Sequence, residues 1–263
     1  MNKKSKMMQH DDDDDVNKQD ASLFRTRPTC TINEIRAACE DDTEAIIQVE
    51  TTSFPDVYTD DVGELIHRRR DEIEGGYPCC RILEDHGRLD IHGVVMLESY
   101  LRRARKYRDS ETGEEIVLPA NRPPDRKPAN DILMAAIRAD PSLLHEEFLF
   151  ISEICIHPRK RGMGNGTRLM RHVTDIVNQL AVKVIVLVEG SVSDAAKKWT
   201  ACEGEEVDMC ELSLLRGRER RSIVPFYQEK LGFRSRAHFF WGRRNYTIPR
   251  IFHVMQYPSY TYI

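Results

Sequence analysis

The chain has 263 residues, 40 % of them hydrophobic, which is enough to fill one large core and excludes both a mini-protein and a wholly disordered chain. With 39 Lys and Arg against 43 Asp and Glu, the formal net charge of -4 supplies no global field to hold a polyanion, so nucleic acid is not expected as a partner. No apolar run approaches the roughly 18 residues of a spanning helix, and the start Met1 to Met8 is lysine-rich without the apolar stretch of a secretory leader. No membrane partner is expected, and the expected location is the cytoplasm, with the nucleus left open.

The first thirty residues, with Lys3, Lys4, Lys6 and the run Asp11 to Asp15, hold too little apolar surface to offset the entropy of ordering. Residues 1–30 are therefore expected to be a disordered tail, and residues 31–263 one domain. From Glu34 to Ala38 the residues alternate as in a short strand. A helix follows, capped by Asp41 or Asp42, with Ile46, Ile47, Val49 and Phe54 on its apolar face and Pro55 at its end. A charged helix from Asp60 or Asp61 to Glu74 stops at Gly75-Gly76. Cys80 to Glu84 and Asp90 to Glu98 then read as an antiparallel pair joined through Asp85-His86-Gly87.

The pattern breaks at Arg102. A basic start (Arg102, Arg103, Arg105, Lys106, Arg108) and a proline-rich end (Pro119, Pro123, Pro124, Pro128) predict an inserted loop, and an insertion is placed near 102–146. Phe148 to Ile156 is a long strand and Gly162 to Gly166 a glycine-rich turn. Thr167 to Leu180 is a helix with Leu169, Met170, Val173, Ile176, Val177 and Leu180 on one side, followed by the apolar strand Val182 to Val188. A second irregular, charged stretch fills 191–221. A short helix from Ser222 to Leu231 ends at Gly232, and two strands follow around His238 to Trp241 and Ile251 to Met255.

The seven cysteines (Cys30, Cys39, Cys79, Cys80, Cys155, Cys202, Cys210) are odd in number and never spaced C-x-x-C. They imply neither a disulfide framework nor a zinc site, and no metal is expected.

A glycine-rich turn between a strand and a helix is an anion site, because free N–H groups and the helix dipole converge there. A phosphate-transfer P-loop is excluded, since Gly166 is followed by Thr167 and Arg168 rather than by Lys and Ser or Thr. A dinucleotide fingerprint would use Gly164 and Gly166, with Glu189 near the place of a ribose-binding acid. It fails at its third glycine, where Leu169 stands, and His157 to Arg161 intervene between strand and turn.

The run Ile156-His157-Pro158 followed by Arg161-x-x-Gly164-x-Gly166 resembles the acyl-coenzyme-A binding motif of the GNAT N-acetyltransferase superfamily. Three further segments are similar to that family in the same order: Glu34 to Pro55 to its first strand and helix, Val186 to Glu189 to the end of its fifth strand, and Pro225 to Phe233 to its late F-Y-x-x-x-G-F helix. The resemblance departs from the pattern between Glu189 and Phe226, a connection of more than thirty residues without the family's asparagine. It implies an α/β fold with a mixed sheet, an antiparallel N-terminal half and a strand-loop-helix-strand cofactor unit.

The same resemblance implies acetyl-CoA as co-substrate, and the acceptor read with it is a primary amine of a protein. Pantetheine would lie along the backbone of Ile154, Cys155 and Ile156, and the pyrophosphate in the turn Arg161, Gly162, Met163, Gly164, Asn165, Gly166 and Thr167. Arg159, Lys160 and Arg168 would add positive charge. An amine such as lysine, with a pKa near ~10.4, must lose a proton to attack, and Glu153 stands where the family often has its base. The competing assignments for Glu153 are a polar group at the strand splay or a contact to substrate ammonium. Tyr227 matches the family's tyrosine that protonates the leaving thiolate, and the alternative is an aromatic packed beside Phe226 and Phe233. The function read from the resemblance is direct transfer of acetyl to a primary amine. A polyamine or aminoglycoside acceptor, and a coenzyme-A-binding domain without turnover, are its alternatives.

Overall fold

In the computed structural model the residues described are 33–54, 61–76, 79–85, 90–120, 131–191, 195, 223–241 and 250–258, all within one unit, Ile32–Ile263. The tail over 1–30, residues 121–128 and nearly all of 191–221 lie outside the described residues. No helix among those described is long and apolar enough to cross a membrane.

Strands numbered in chain order are β1 (Asn33–Ala37), β2 (Cys79–Asp85), β3 (Ile91–Tyr100), β4 (Arg105–Arg108), β5 (Glu115–Leu118), β6 (Phe148–Ile156), β7 (Lys183–Glu189), β8 (Arg234–Trp241) and β9 (Arg250–Tyr257). Among the described residues seven of them form one sheet in the order β1-β2-β3-β6-β7-β9-β8, with β4 and β5 apart as a hairpin. Only the β6–β7 pairing is parallel, so the antiparallel N-terminal half and the strand-loop-helix-strand unit read from the sequence are both present.

Helix α1 (Thr43–Ser53) covers one end of one sheet face, with Ile46 and Val49 against Ile82, Val94, Met96 and Cys155. Helix α3 (Asp131–Ala139) covers the rest of that face, with Leu133, Ala136 and Ile137 against Phe148, Phe150, Ile185 and Val254. The opposite face belongs to α4 (Asn165–Leu180), whose stripe Leu169, Val173, Ile176 and Val177 packs on Val95, Leu97, Leu149, Ile151, Val184 and Val186. Each of those buried aliphatics contributes about 1.5–3 kcal/mol relative to exposure, which fixes the helix on the sheet. Helix α2 (Val62–Glu74) is mostly polar and buries only Leu65 and Arg69; the Asp61 side chain caps it by accepting from the Gly63 N–H.

Four local expectations change. Asp42 does not cap α1 with its side chain, because its carboxylate is already taken by the Cys39 N–H at 2.7 Å and by the two Nη atoms of Arg36 at 2.7 and 2.8 Å. The stretch expected as an inserted loop from Arg102 to Pro128 contains the β4–β5 hairpin, and the rest of the expected insertion, to 146, contains α3. The hairpin forms because Tyr107 and Leu118 turn inward, and the Tyr107 hydroxyl accepts from buried Arg81 Nη2 at 2.7 Å. Helix α4 begins at Asn165, two residues ahead of Thr167, since the Asn165 amide donates to the Lys160 carbonyl at 3.1 Å and holds the first turn down. The late helix is a wide π-turn over Phe226–Lys230, closed by the Phe233 N–H on the Tyr227 carbonyl at 2.9 Å; Ser222 lies outside the described residues.

Candidate active site

Parallel strands β6 and β7 pair only over Phe148–Ile151 and Lys183–Val186, although β6 runs on to Ile156 and β7 to Glu189. On its other edge β7 bonds to β9 over Val184–Glu189, and past Ile151 no strand pairs the edge of β6 that faces β7 among the described residues. Ser152 is the cause. Met96 pairs with Glu153 and Leu97 with Ile151, so Ser152 is an extra residue, a bulge that bends β6 and shifts its alternation by one. Without it Glu153 would point into the α4 core. With it, Glu153 and Cys155 face α1 and α2, while Ile154 and Ile156 pack on the α4 side.

The opened strand leads into the glycine-rich turn. Pro158–Lys160 is a 3-10 turn whose start is capped by His157, with Nδ1 accepting from the Arg159 N–H at 3.2 Å. Gly162 and Gly164 have φ of 77° and 84°, the left-handed region where side chains are strained, and a Cβ on either would meet no heavy atom within 4 Å. The turn is therefore open on its concave side at the N-terminus of α4, as an anion cradle must be. Met163 in the turn is exposed, Asn165 is buried, and Gly166 packs against Ile156. Thr167 is half-buried.

The basic residues around the turn are mostly engaged within the protein. Arg161 donates through Nε to the Ile156 carbonyl at 3.0 Å, and Arg168 pairs with Glu111 at 3.1 Å. The Lys160 ammonium lies 2.6 Å from Asp90 and 2.7 Å from His92 Nε2, filling the centre of a cluster of buried Asp85, buried His92 and exposed Asp90 that carries no sequence motif. Arg159 lines a cavity of about 290 Å³ beside the turn, with Gln48, Asp90, His157 and Lys160.

Under the α1–α2 face lies a second group of charges. Arg69, buried on α2, pairs with Glu50 on α1 at 2.9 Å, with Glu153 at 3.1 Å, and with Glu72 one turn along its own helix. Glu50 is fully buried, and its Oε1 accepts no hydrogen bond. Burial pushes the Glu50 carboxyl up, to about 8, with the charge of Glu153 adding to the rise and Arg69 opposing it. Glu153, singled out from the sequence, is thus not a solitary acid. Arg69 and Glu50 escaped notice because one arginine and one glutamate among charged helices carry no motif.

Tyr227 sits on the other face, in the α4 core, edge-on to Phe226 at 5.5 Å and to Phe233 at 5.4 Å, and burial raises its phenol. Cys155 is buried beneath α1 with its thiol pushed up by burial, the opposite of an activated nucleophile. The fold thus brings Ile154, Cys155, Ile156 and the turn from Arg161 to Thr167 together as one continuous strip, with Glu153 and Tyr227 on opposite faces of the sheet.

Residues 128–200 match the model of the acetyltransferase (GNAT) family. That span contains β6, the turn, α4 and β7, the strand-loop-helix-strand unit described above. No curated protein matches the sequence. Among solved structures the chain is similar to an N-acetyltransferase from Staphylococcus aureus Mu50, at 12 % identity over 85 % of this chain and 96 % of that one, TM-score 0.46. It is similar to Arabidopsis thaliana NAA60 in complex with a bisubstrate analogue, at 13 % identity over 86 % and 97 %, TM-score 0.46. A GNAT family acetyltransferase from Brucella melitensis in complex with acetyl-CoA aligns at 11 % identity over 88 % and 92 %, TM-score 0.40.

Proposed function

We propose that this chain is a GNAT-family, acetyl-CoA-dependent N-acetyltransferase acting on a primary amine by direct attack. The observation that carries this reading is the continuity of the unpaired β6 edge with the open turn at Gly162 and Gly164, inside the segment that matches the family. The residues fit the co-substrate. Backbone groups of Ile154, Cys155 and Ile156 on the β7 side would bond the amides of the pantetheine arm as an added strand does. N–H groups from Gly162 to Thr167, with the dipole of α4, would hold the pyrophosphate. Acetyl-CoA, when bound, supplies a thioester already activated for transfer.

The chain's own groups then move two protons. Glu153 accepts the proton of the acceptor ammonium, leaving a neutral nitrogen with a lone pair for attack. As the C–N bond forms and the C–S bond breaks, Tyr227 donates to the departing sulfur, whose thiol pKa is about 8.5, and the second proton shed by the nitrogen restores the phenol. Arg161 acts by holding the turn to the Ile156 carbonyl rather than as a free charge.

The acceptor on this reading is an amine of a protein. A small cationic amine is the second reading, favoured by the excess of Glu50, Glu72 and Glu153 over Arg69. The case for an acidic protein surface loses weight, because Arg102 and Arg105 are tied to the His145 carbonyl and to Glu147. The test is thiol release from acetyl-CoA with peptides, polyamines and aminoglycosides, together with calorimetric binding of acetyl-CoA. Binding by the wild type, lost in Gly164→Asp, and thiol release with one amine class are expected. No binding, or binding that Gly164→Asp leaves unchanged, would reject the reading.

A further inference from the structure

Glu50 plays no part in the chemistry described so far, yet it is the deepest of the charges around Arg69. The groups that face it come from three elements: Arg69 and Glu72 of α2, Glu153 and Cys155 of β6, and Cys80 of β2. Both buried thiols are pushed up by burial and stay neutral, so the charge balance lies among three carboxylates and one guanidinium. A single Nη2 of Arg69 reaches both Glu50 and Glu153, at 2.9 and 3.1 Å. That nitrogen has an N–H bond for each carboxylate, but the guanidinium carries one positive charge between them, so whatever draws it toward one weakens its hold on the other.

We propose that Glu50 is a positioning residue for Glu153, acting through the Arg69 guanidinium they share: ionised Glu50 draws Arg69 to itself and leaves Glu153 the stronger proton acceptor. The inference rests on the reading of Glu153 as the group that deprotonates the acceptor. The step balances simply. The acceptor ammonium gives one proton to the Glu153 carboxylate, the neutral amine forms, and Glu153 returns the proton to solvent after transfer. With Glu50 protonated, Arg69 holds Glu153 as an ion pair and the step is slower. With Glu50 ionised, Glu153 competes for Arg69 and takes the proton more readily.

The experiment compares wild type with Glu50→Gln, which is permanently neutral, and Glu50→Asp, which keeps the carboxylate. Values of kcat/KM for the best amine are measured from pH 6.5 to pH 9, with acetyl-CoA affinity at each end. The ratio of wild type to Glu50→Gln is expected to grow roughly tenfold across that range, the effect of about one pKa unit on Glu153. Glu50→Asp keeps the trend, and acetyl-CoA affinity stays within about twofold in both variants. A ratio that is the same at every pH would show that Glu50 is merely structural and would overturn the inference. Carboxyl 13C NMR of the wild type covers the case in which the variants do not fold: a second inflection of the Glu153 resonance where Glu50 titrates is expected, and a single inflection overturns the inference. A wild type that binds no acetyl-CoA fails the functional reading instead, while the NMR titration still decides whether the two carboxylates are coupled.

Discussion

The hydroxyl of Ser53, the last residue of α1, donates to the carbonyl of Ile156, the last residue of β6, across 3.1 Å. The same carbonyl accepts from Arg161 Nε at 3.0 Å, and Arg161 Nη2 reaches back to the Ser53 carbonyl. The end of α1 is thereby clamped to a segment more than a hundred residues away, where the strand passes into the glycine turn. Arg161 therefore works by the planar geometry of its guanidinium, which a lysine cannot reproduce. Arg161→Lys is expected to weaken acetyl-CoA binding by calorimetry about as much as Arg161→Ala, roughly fivefold or more, the equivalent of about 1 kcal/mol. Full rescue by lysine would mean that the residue acts through charge alone. Ser53→Ala, with Arg161 still in place, costs about 1 kcal/mol in denaturant unfolding.

Glu50 also leaves a mark on stability. Its carboxyl pKa is raised above the ordinary 4.5 to about 8 in the folded state, so between those values the native protein binds more protons than the unfolded chain. The stabilisation from its proton is complete below pH 4.5 and fades as pH rises through about 8. Thermal melts of wild type from pH 5 to pH 8.5 should show a declining contribution to Tm, a few degrees in size, that Glu50→Gln lacks. A wild type and variant whose Tm difference is constant over this range would contradict the assigned direction.

Gly93 lies where β3 meets β6 and α4 most closely. A Cβ there would stand 2.9 Å from the Cys155 carbonyl oxygen and 2.5 Å from Ile156 Cδ1. Backbone cannot yield as a flexible side chain can, so Gly93→Ala is expected to destabilise by about 1–3 kcal/mol. Because the strain falls on Cys155 and Ile156, acetyl-CoA affinity should fall as well. Equilibrium unfolding and calorimetry measure the two effects, and an unchanged midpoint would show that the contact is not tight.

Tyr107 anchors the β4–β5 hairpin to Arg81, whose guanidinium is almost wholly buried and otherwise faces Asp109 at 3.4 Å. Tyr107→Phe removes the hydroxyl and leaves a buried charged donor short of a partner. The expected cost is about 1–3 kcal/mol by denaturant unfolding, with little change in acetyl-CoA affinity. A cost within about 0.5 kcal/mol of zero would show that the hairpin is held by its apolar contacts alone.

The elements that carry the glycine-rich turn are those the sequence itself determined. Leu169, Met170, Val173, Ile176, Val177 and Leu180 repeat at helical spacing, and all are buried in α4 as that spacing requires. The apolar run before Glu189 becomes the central strand β7, and Gly162 and Gly164 take the left-handed conformations for which glycine is the ready residue. Such features are local: period, turn chemistry and backbone freedom are written in neighbouring residues. Helix α3 carries the same kind of signal in Leu133, Ala136 and Ile137, but it falls within the insertion expected near 102–146, behind the basic and proline-rich residues that break the pattern. What only the tertiary structure decided is the setting of Glu153. Its direction depends on the bulge at Ser152, which arises from register against β3, and its charge depends on Arg69 and Glu50, contributed by two helices. Register and ion pairing are relations between distant segments, with energies set by burial and by distances of a few ångströms, and no spacing along the chain encodes them.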